Sequence, residues 1–243
     1  MGWQFSTTSW SQVLAAREGP STESRRALEA LCSAYWYPLY AFVRLQGYDS
    51  ETSRDLTQAY FAELVEKDYL NDVDPSVGRF RAFLKGSIKH FLSKERRKEH
   101  TLKRGGGAQV LSLDLQDAEG QYRVEPVDHL TPDEIFERRW ALTILERVLG
   151  KLREEFATAG KEDEFQQLQA FITGEQPRTP YQDVAAELGV SEGAVKASVH
   201  RLRGRFGRLL REEIADTVAN PDIVDDELRH LLQVIAPWEP RQA

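Results

Sequence analysis

Two short helices joined by a glycine are written between Thr179 and Phe206, and little else about the chain is as restrictive. Thr179 is an N-cap residue, Pro180 suits the first helical position, and Gln182 completes a capping box. Tyr181, Val184, Ala185 and Leu188 follow i, i+3, i+4, i+7 spacing, which gives this helix one apolar face. Gly189 supplies a residue that tolerates the left-handed conformation at the helix end. Ser191 caps a second helix, with Val190 and Val195 spaced for a hydrophobic staple. On that helix Val195, Val199, Leu202 and Phe206 turn inward, leaving Lys196, Ser198, His200, Arg201 and Arg205 outside. The pattern is a helix-turn-helix, and its second helix has the shape and charge to enter a major groove. The competing reading is a helical hairpin with a solvated basic face.

The distribution of charge bears on that choice. The 243 residues carry a net charge of −7, which taken alone argues against a polyanionic partner. Residues 79–104, however, hold ten Lys/Arg against Glu95 and Glu99, a net +8. Residues 192–211 hold six against Glu192, a net +5. Two basic islands on an otherwise acidic chain point to two phosphate-contacting surfaces, because phosphate neutralisation dominates nucleic-acid affinity. The first island also has its own apolar face, formed by Phe80, Phe83, Leu84, Ile88, Phe91 and Leu92. Its polar face carries Arg81, Lys85, Lys89 and Lys94.

The remaining helices are legible from spacing. Leu28, Leu31, Cys32, Tyr35, Leu39, Phe42 and Val43 outline a first helix, in which Pro38 is expected to make a kink or a restart. Gly47-Tyr48-Asp49 is a break, after which a helix over about 54–68 buries Leu56, Tyr60, Phe61, Leu64 and Val65. Asp74-Pro75 marks a turn. Three glycines, Gly105 to Gly107, end the first domain and open an acidic linker. Thr131 and Glu134 form a capping box for a long helix, which buries Phe136, Trp140, Leu145, Val148, Leu149, Leu152 and Phe156. Phe165, Leu168, Phe171 and Ile172 mark another helix. Asn220-Pro221 starts a last amphipathic helix with Ile223, Val224, Leu228, Leu231, Leu232 and Ile235.

The expected fold is all-α, with two helical domains joined by a linker. We divide the chain into an N-terminal arm (1–24), a first domain (25–104), an acidic linker (105–130), a helix-turn-helix domain (131–214) and an acidic C-terminal extension (215–243). No apolar run is long enough to span a bilayer, and no signal-peptide pattern is seen, so a cytoplasmic protein without membrane insertion is expected. The single cysteine, Cys32, rules out an internal disulfide and reads as core filler. The five histidines lack metal-ligand spacing and no phosphate-cradling glycine loop is present. We therefore expect no enzyme, no metal and no cofactor.

Three segments, in order, resemble a bacterial sigma factor of the extracytoplasmic-function (ECF) type. Asp55-Leu56-Thr57-Gln58-Ala59-Tyr60-Phe61 resembles the Asp-Leu-x-Gln-x-x-Phe signature of its polymerase-binding helix. The resemblance implies that Asp55, Gln58, Phe61 and Leu64 bind core RNA polymerase. Phe80-Arg81-Ala82-Phe83-Leu84 with Lys89-His90 and Arg96-Arg97 resembles the helix that melts and reads the minus-ten element. It implies that promoter DNA is contacted by Arg81, Lys85, Lys89, His90, Lys94, Arg96 and Arg97. Glu192-Gly193-Ala194-Val195-Lys196 through Arg203 resembles the minus-thirty-five recognition helix. There Ser191, Glu192, Gly193, Lys196, Ser198, His200, Arg201, Arg203 and Arg205 are implied DNA contacts.

The fold implied is a region 2-like and a region 4-like domain, and the function implied is promoter recognition and transcription initiation. His90 stands where an Asn often reads a flipped minus-ten base, and Ser198 replaces a common Arg, so the family's usual sequence preferences do not carry over. Just before Asp55, relatives carry an acidic run where this chain has Thr52-Ser53-Arg54. The resemblance to kinase-activated members makes Thr52 and Ser53 expected phosphosites for a Ser/Thr kinase, since a phosphate restores negative charge. Asp49 and Glu51 supplying that charge is the alternative. An anti-sigma factor is a further implied partner. The rival function is a conventional helix-turn-helix regulator that binds duplex operator DNA without polymerase. The acidic C-terminal helix is expected to pack on the second domain or to serve as a regulatory surface.

Overall fold

The computed structural model describes residues 22–66, 79–101, 130–172, 180–218 and 220–235. Every regular element among them is helical: α1 (Thr22–Arg44), α2 (Ser50–Glu66), α3 (Phe80–Thr101), α4 (Pro132–Thr158), α5 (Glu162–Leu168), α6 (Tyr181–Leu188), α7 (Glu192–Thr217) and α8 (Val224–Ile235). Short 3-10 turns lie at Gln169–Phe171 and Pro221–Ile223. The expected arm, the Asp74-Pro75 turn, the three glycines, the linker up to residue 129 and the cap at Thr179 lie outside the described residues. The chain forms two compact units, one from residues up to 143 together with those from 214 onward, the other from 144–213. The division falls inside α4 and α7.

In the first unit, aromatic side chains at helical spacing build the core. Tyr35, Leu39, Phe42 and Val43 of α1 are buried, as are Tyr60, Phe61 and Leu64 of α2 and Phe80, Leu84, Ile88, Phe91 and Leu92 of α3. Tyr35 meets Phe80 edge-on at 5.6 Å, Trp36 stacks on Phe61 at 5.8 Å, and Tyr60 meets Phe91 edge-on at 5.7 Å. The quadrupoles of aromatic rings favour such offset and edge geometries. Helix α1 runs through Pro38 as one helix rather than restarting there, with Trp36, Leu39 and Tyr40 near the proline buried. Gly47, with φ of 94°, makes the turn between α1 and α2. Helix α2 begins four residues earlier than its spacing predicts because Asp49 caps it. The Thr52 amide donates to Asp49 Oδ1 at 2.8 Å and the Thr52 hydroxyl to Oδ2 at 3.0 Å. These bonds hold the Asp49 carboxyl below the usual range, the Thr52 amide bond contributing most.

The start of α4 and the chain beyond Ile214 complete this unit. The Thr131–Glu134 capping box forms in both directions: the Glu134 amide donates to Thr131 Oγ1 at 3.3 Å and the Thr131 amide to Glu134 Oε2 at 2.8 Å. Phe136, stacked on Tyr35 at 6.5 Å, and Trp140 bring α4 into the aromatic core. Asn220 caps the last turn by accepting from the Asp222 amide at 2.9 Å, and Val224, Glu227 and Leu231 of α8 are buried. The acidic C-terminal helix groups with the first unit, where its His230 meets Glu137 and Trp140 at the start of α4. Its buried residues include the Glu227 carboxylate, which pairs with Arg79 and Arg81.

In the second unit Ile144, Val148, Leu152, Phe165, Leu168, Phe171, Val184, Val195, Val199 and Leu202 form the core. Phe171 and Tyr181 stack almost flat, 4.8 Å apart and 8° from parallel, which ties the 3-10 turn to α6. Leu145, Leu149, Phe156 and Phe206, expected inside, are half-buried at the edge of the core.

Candidate nucleic-acid interface

The second unit presents a helix-turn-helix whose geometry follows from three local choices. Pro180 is the N-cap of α6 rather than its first helical residue, with φ −59° and ψ 153°. Gly189 ends α6 in the left-handed region at φ 66°, where a β-carbon is disfavoured. Ser191 then caps α7, its Oγ accepting from the Ala194 amide at 3.2 Å. The expected staple is not closed, since Val190 stays 47% exposed while Val195 is buried.

Along α7 the expected DNA residues divide into two groups. Ser191, Glu192, Gly193, Lys196, His200 and Arg201 are exposed, with Ser198 half-buried and accepting from Arg201 Nη2 at 3.0 Å. Lys196 pairs with Glu192 one turn away at 2.7 Å and lies 5.8 Å above the Tyr181 ring. The Glu192 hydrogen bond raises its pKa. Arg203 and Arg205 are engaged within the fold. The Arg203 guanidinium donates twice to the Phe171 carbonyl, at 3.2 and 3.1 Å, and so closes the end of the 3-10 turn. Arg205 forks onto Glu155, its Nε 3.0 Å from Oε2 and its Nη2 2.5 Å from Oε1. Arg203 stays exposed beside Lys196, His200 and Arg201, while Arg205 is half-buried.

The first unit sorts its residues the same way. On α2, Asp55 is exposed and Gln58 half-buried, whereas Phe61 and Leu64 are 1% and 2% exposed. Half of the signature expected to touch polymerase is therefore core, with Phe61 held against Trp36. Ser53, expected as a phosphosite, is wholly buried in this fold. The Thr52 hydroxyl is committed to Asp49, where an added phosphate would face a carboxylate.

On α3 the largest departure is Arg81. Expected on the polar face, it is 4% exposed. Its Nε donates to Glu137 Oε2 at 2.7 Å, its Nη1 to Glu227, and its guanidinium lies 4.3 Å over the Trp140 ring. Burial opposes its charge, but the two carboxylates, Glu137 first, outweigh that and raise its pKa. Lys85 reaches Glu137 at 2.7 Å and Asp133 at 3.4 Å, and Lys89 reaches Asp133 at 2.8 Å. Lys94 is paired with Glu63 at 2.9 Å. Arg96 donates to Tyr48 Oη at 2.9 Å and to Gln46 Oε1 at 3.0 Å. His90 and Arg97 are exposed. Around the far half of α3 an open groove of about 370 Å³ is lined by Phe42, Gln46, Lys89, Ser93, Arg96 and Arg97.

A family model described as ECF sigma factor matches residues 44–212, more than half of the chain. The chain belongs to the ECF sigma factor family. No curated protein and no solved structure matches it. Membership makes it a DNA-binding transcription-initiation factor, with core RNA polymerase and promoter DNA as partners. The match takes in both basic islands and ends at Glu212, so α8 lies beyond it. Among the described residues of this sigma factor no helix is long and apolar enough to cross a membrane, and no cluster of side chains is set to hold a metal.

Sequence reasoning missed the partners of its own basic residues, namely Glu63, Asp133, Glu137, Glu155 and Glu227, and it missed Gln46 in the groove. One signal was available: Asp133 and Glu137 are four apart, as are Lys85 and Lys89, so each pair shares a helix face.

Proposed function

We propose that this sigma factor selects promoters through two helices of different chemistry and meets polymerase through a third. Helix α7 takes duplex DNA at the minus-thirty-five element, with Lys196, His200 and Arg201 facing base edges and phosphates. The far half of α3, with His90, Arg96 and Arg97, takes the separated strand of the minus-ten element. Its groove gathers Lys89, Arg96 and Arg97, cations that suit the sugar-phosphate backbone of a single strand. Asp55 and Gln58 are the outward part of the polymerase signature. The boundaries at 104 and 131, with a linker between, are part of this reading.

The observation that carries it is the exposed face of α7: Lys196, His200 and Arg201 stand exposed on a helix positioned by Gly189 and Ser191, while Arg205 is half-buried and tied to Glu155. The test is a mobility shift of a promoter-library duplex with core polymerase. The reading predicts a polymerase-dependent complex that K196A/R201A abolishes and that R205A leaves intact. Tight binding of the isolated chain to one duplex, without polymerase, would instead establish a conventional regulator.

A further inference from the structure

The carboxylates facing the near half of α3 are disposed as a mask. Glu227, wholly buried, pairs with Arg79 at 2.5 Å and also with Arg81. Glu137 takes Arg81 and Lys85, and it accepts the His230 ring nitrogen at 3.0 Å. Asp133 takes Lys89 and Lys85. Four consecutive cations of the α3 basic face are thus neutralised by three carboxylates, and the deepest of these comes from α8. A phosphate cannot reach an arginine that is 4% exposed beneath another element.

Helix α8 has 12 residues, and isolated helices of that length are marginal in water, so its helicity depends on docking. It docks through buried Val224, Glu227 and Leu231 and through His230, which meets Glu137 and Trp140.

We infer that α8 is an autoinhibitory clamp, in which Glu227 masks Arg79 and Arg81 from single-stranded DNA until α8 leaves. The inference rests on the reading of α3 as the face for the separated strand. Undocking α8 adds Arg79 and Arg81, at the start of α3, to the DNA surface at its far half.

The test uses the full chain and a fluorescein-labelled, mixed-sequence single-stranded DNA 20-mer, with anisotropy followed across a salt series. Two variants release α8 by different means: Glu227→Lys repels Arg79 and Arg81, and Leu231→Asp removes an apolar anchor without touching the cations. Circular dichroism checks that both fold. Each is expected to bind the 20-mer more tightly than the parent, with the slope of log K against log salt steeper by about 1.4, two further contacts at about 0.7 each. In the unmodified chain, saturating 20-mer should speed hydrogen exchange of amides 224–235, a readout that does not depend on any variant folding. Unchanged slopes in folded variants, or unchanged exchange in α8, overturn the clamp. R96A/R97A separates the two ideas. If it weakens binding while the α8 variants change nothing, the clamp fails and the reading of α3 stands; if it too changes nothing, the reading of α3 fails.

Discussion

Glu137 offers the most quantitative test of how the first unit is held together. Burial works to raise its pKa, but the charge of Arg81, with hydrogen bonds from Lys85, Arg81 and His230, outweighs this and holds it at about 2, from an ordinary 4.5. Because the folded-state value is depressed, the stabilisation is fully present above the unfolded-state value and is lost as pH falls through 4.5 toward 2. At 1.36 kcal/mol per pKa unit the gap corresponds to about 3 kcal/mol near neutrality, of which about two-thirds is gone by pH 3. Glu137→Gln keeps the shape and loses the charge. It should cost about 3 kcal/mol at pH 7, and its deficit relative to the parent should shrink steadily below pH 4.5. Urea titrations followed by tryptophan fluorescence report on this unit through its buried Trp36 and Trp140, and none of the five tryptophans lies within residues 144–213. Parallel pH profiles for parent and variant would refute the argument, since they would mean that the Glu137 carboxylate interacts equally in the folded and unfolded chains.

Other consequences concern single side chains. Gly189→Ala meets no neighbouring atom within 4 Å, so its cost is backbone strain alone: about 1–2 kcal/mol from the second unit by thermal unfolding, with the first unit unaffected. Phe61→Ala should lower the stability of the first unit by about 3–5 kcal/mol, whereas Asp55→Ala should leave stability unchanged and weaken polymerase pull-down, because Phe61 is core and Asp55 exposed. Replacing Lys196 and Arg201 together with alanine should reduce the salt slope of promoter-duplex binding by about 1.8, two phosphate contacts at about 0.9 each. Glu155→Ala, which breaks a pair with both partners about a third or more exposed, should cost less than about 1 kcal/mol in denaturant unfolding.

What the sequence could show follows from the range over which its signals act. Caps and turns are local chemistry, and Thr131, Ser191, Gly189 and Asn220 all act as their residue types dictate. Apolar spacing placed Leu84, Ile88, Phe91 and Leu92 correctly on the inner face of α3. Periodicity assigns a side chain to a face without saying what that face meets. Arg81 has the spacing of a solvent residue and is buried because Glu137, 56 positions later, and Glu227, 146 positions later, come to it. The same limit applies to Arg205 and to Ser53, whose neighbours come from the packing of their units. A family signature has a related limit: of the four residues expected to touch polymerase, Phe61 and Leu64 are core, Gln58 is half-buried and Asp55 is exposed.

The central claim, that this ECF sigma factor directs core polymerase to its own promoters through α3 and α7, is met most directly by run-off transcription. Purified bacterial core polymerase, a randomised promoter library and the full chain are combined, and the starts are sequenced. The account predicts transcripts sharing one pair of minus-thirty-five and minus-ten motifs, lost with K196A/R201A and with R96A/R97A. Transcripts without a common motif, or none at all from a chain that binds duplex tightly on its own, would contradict it.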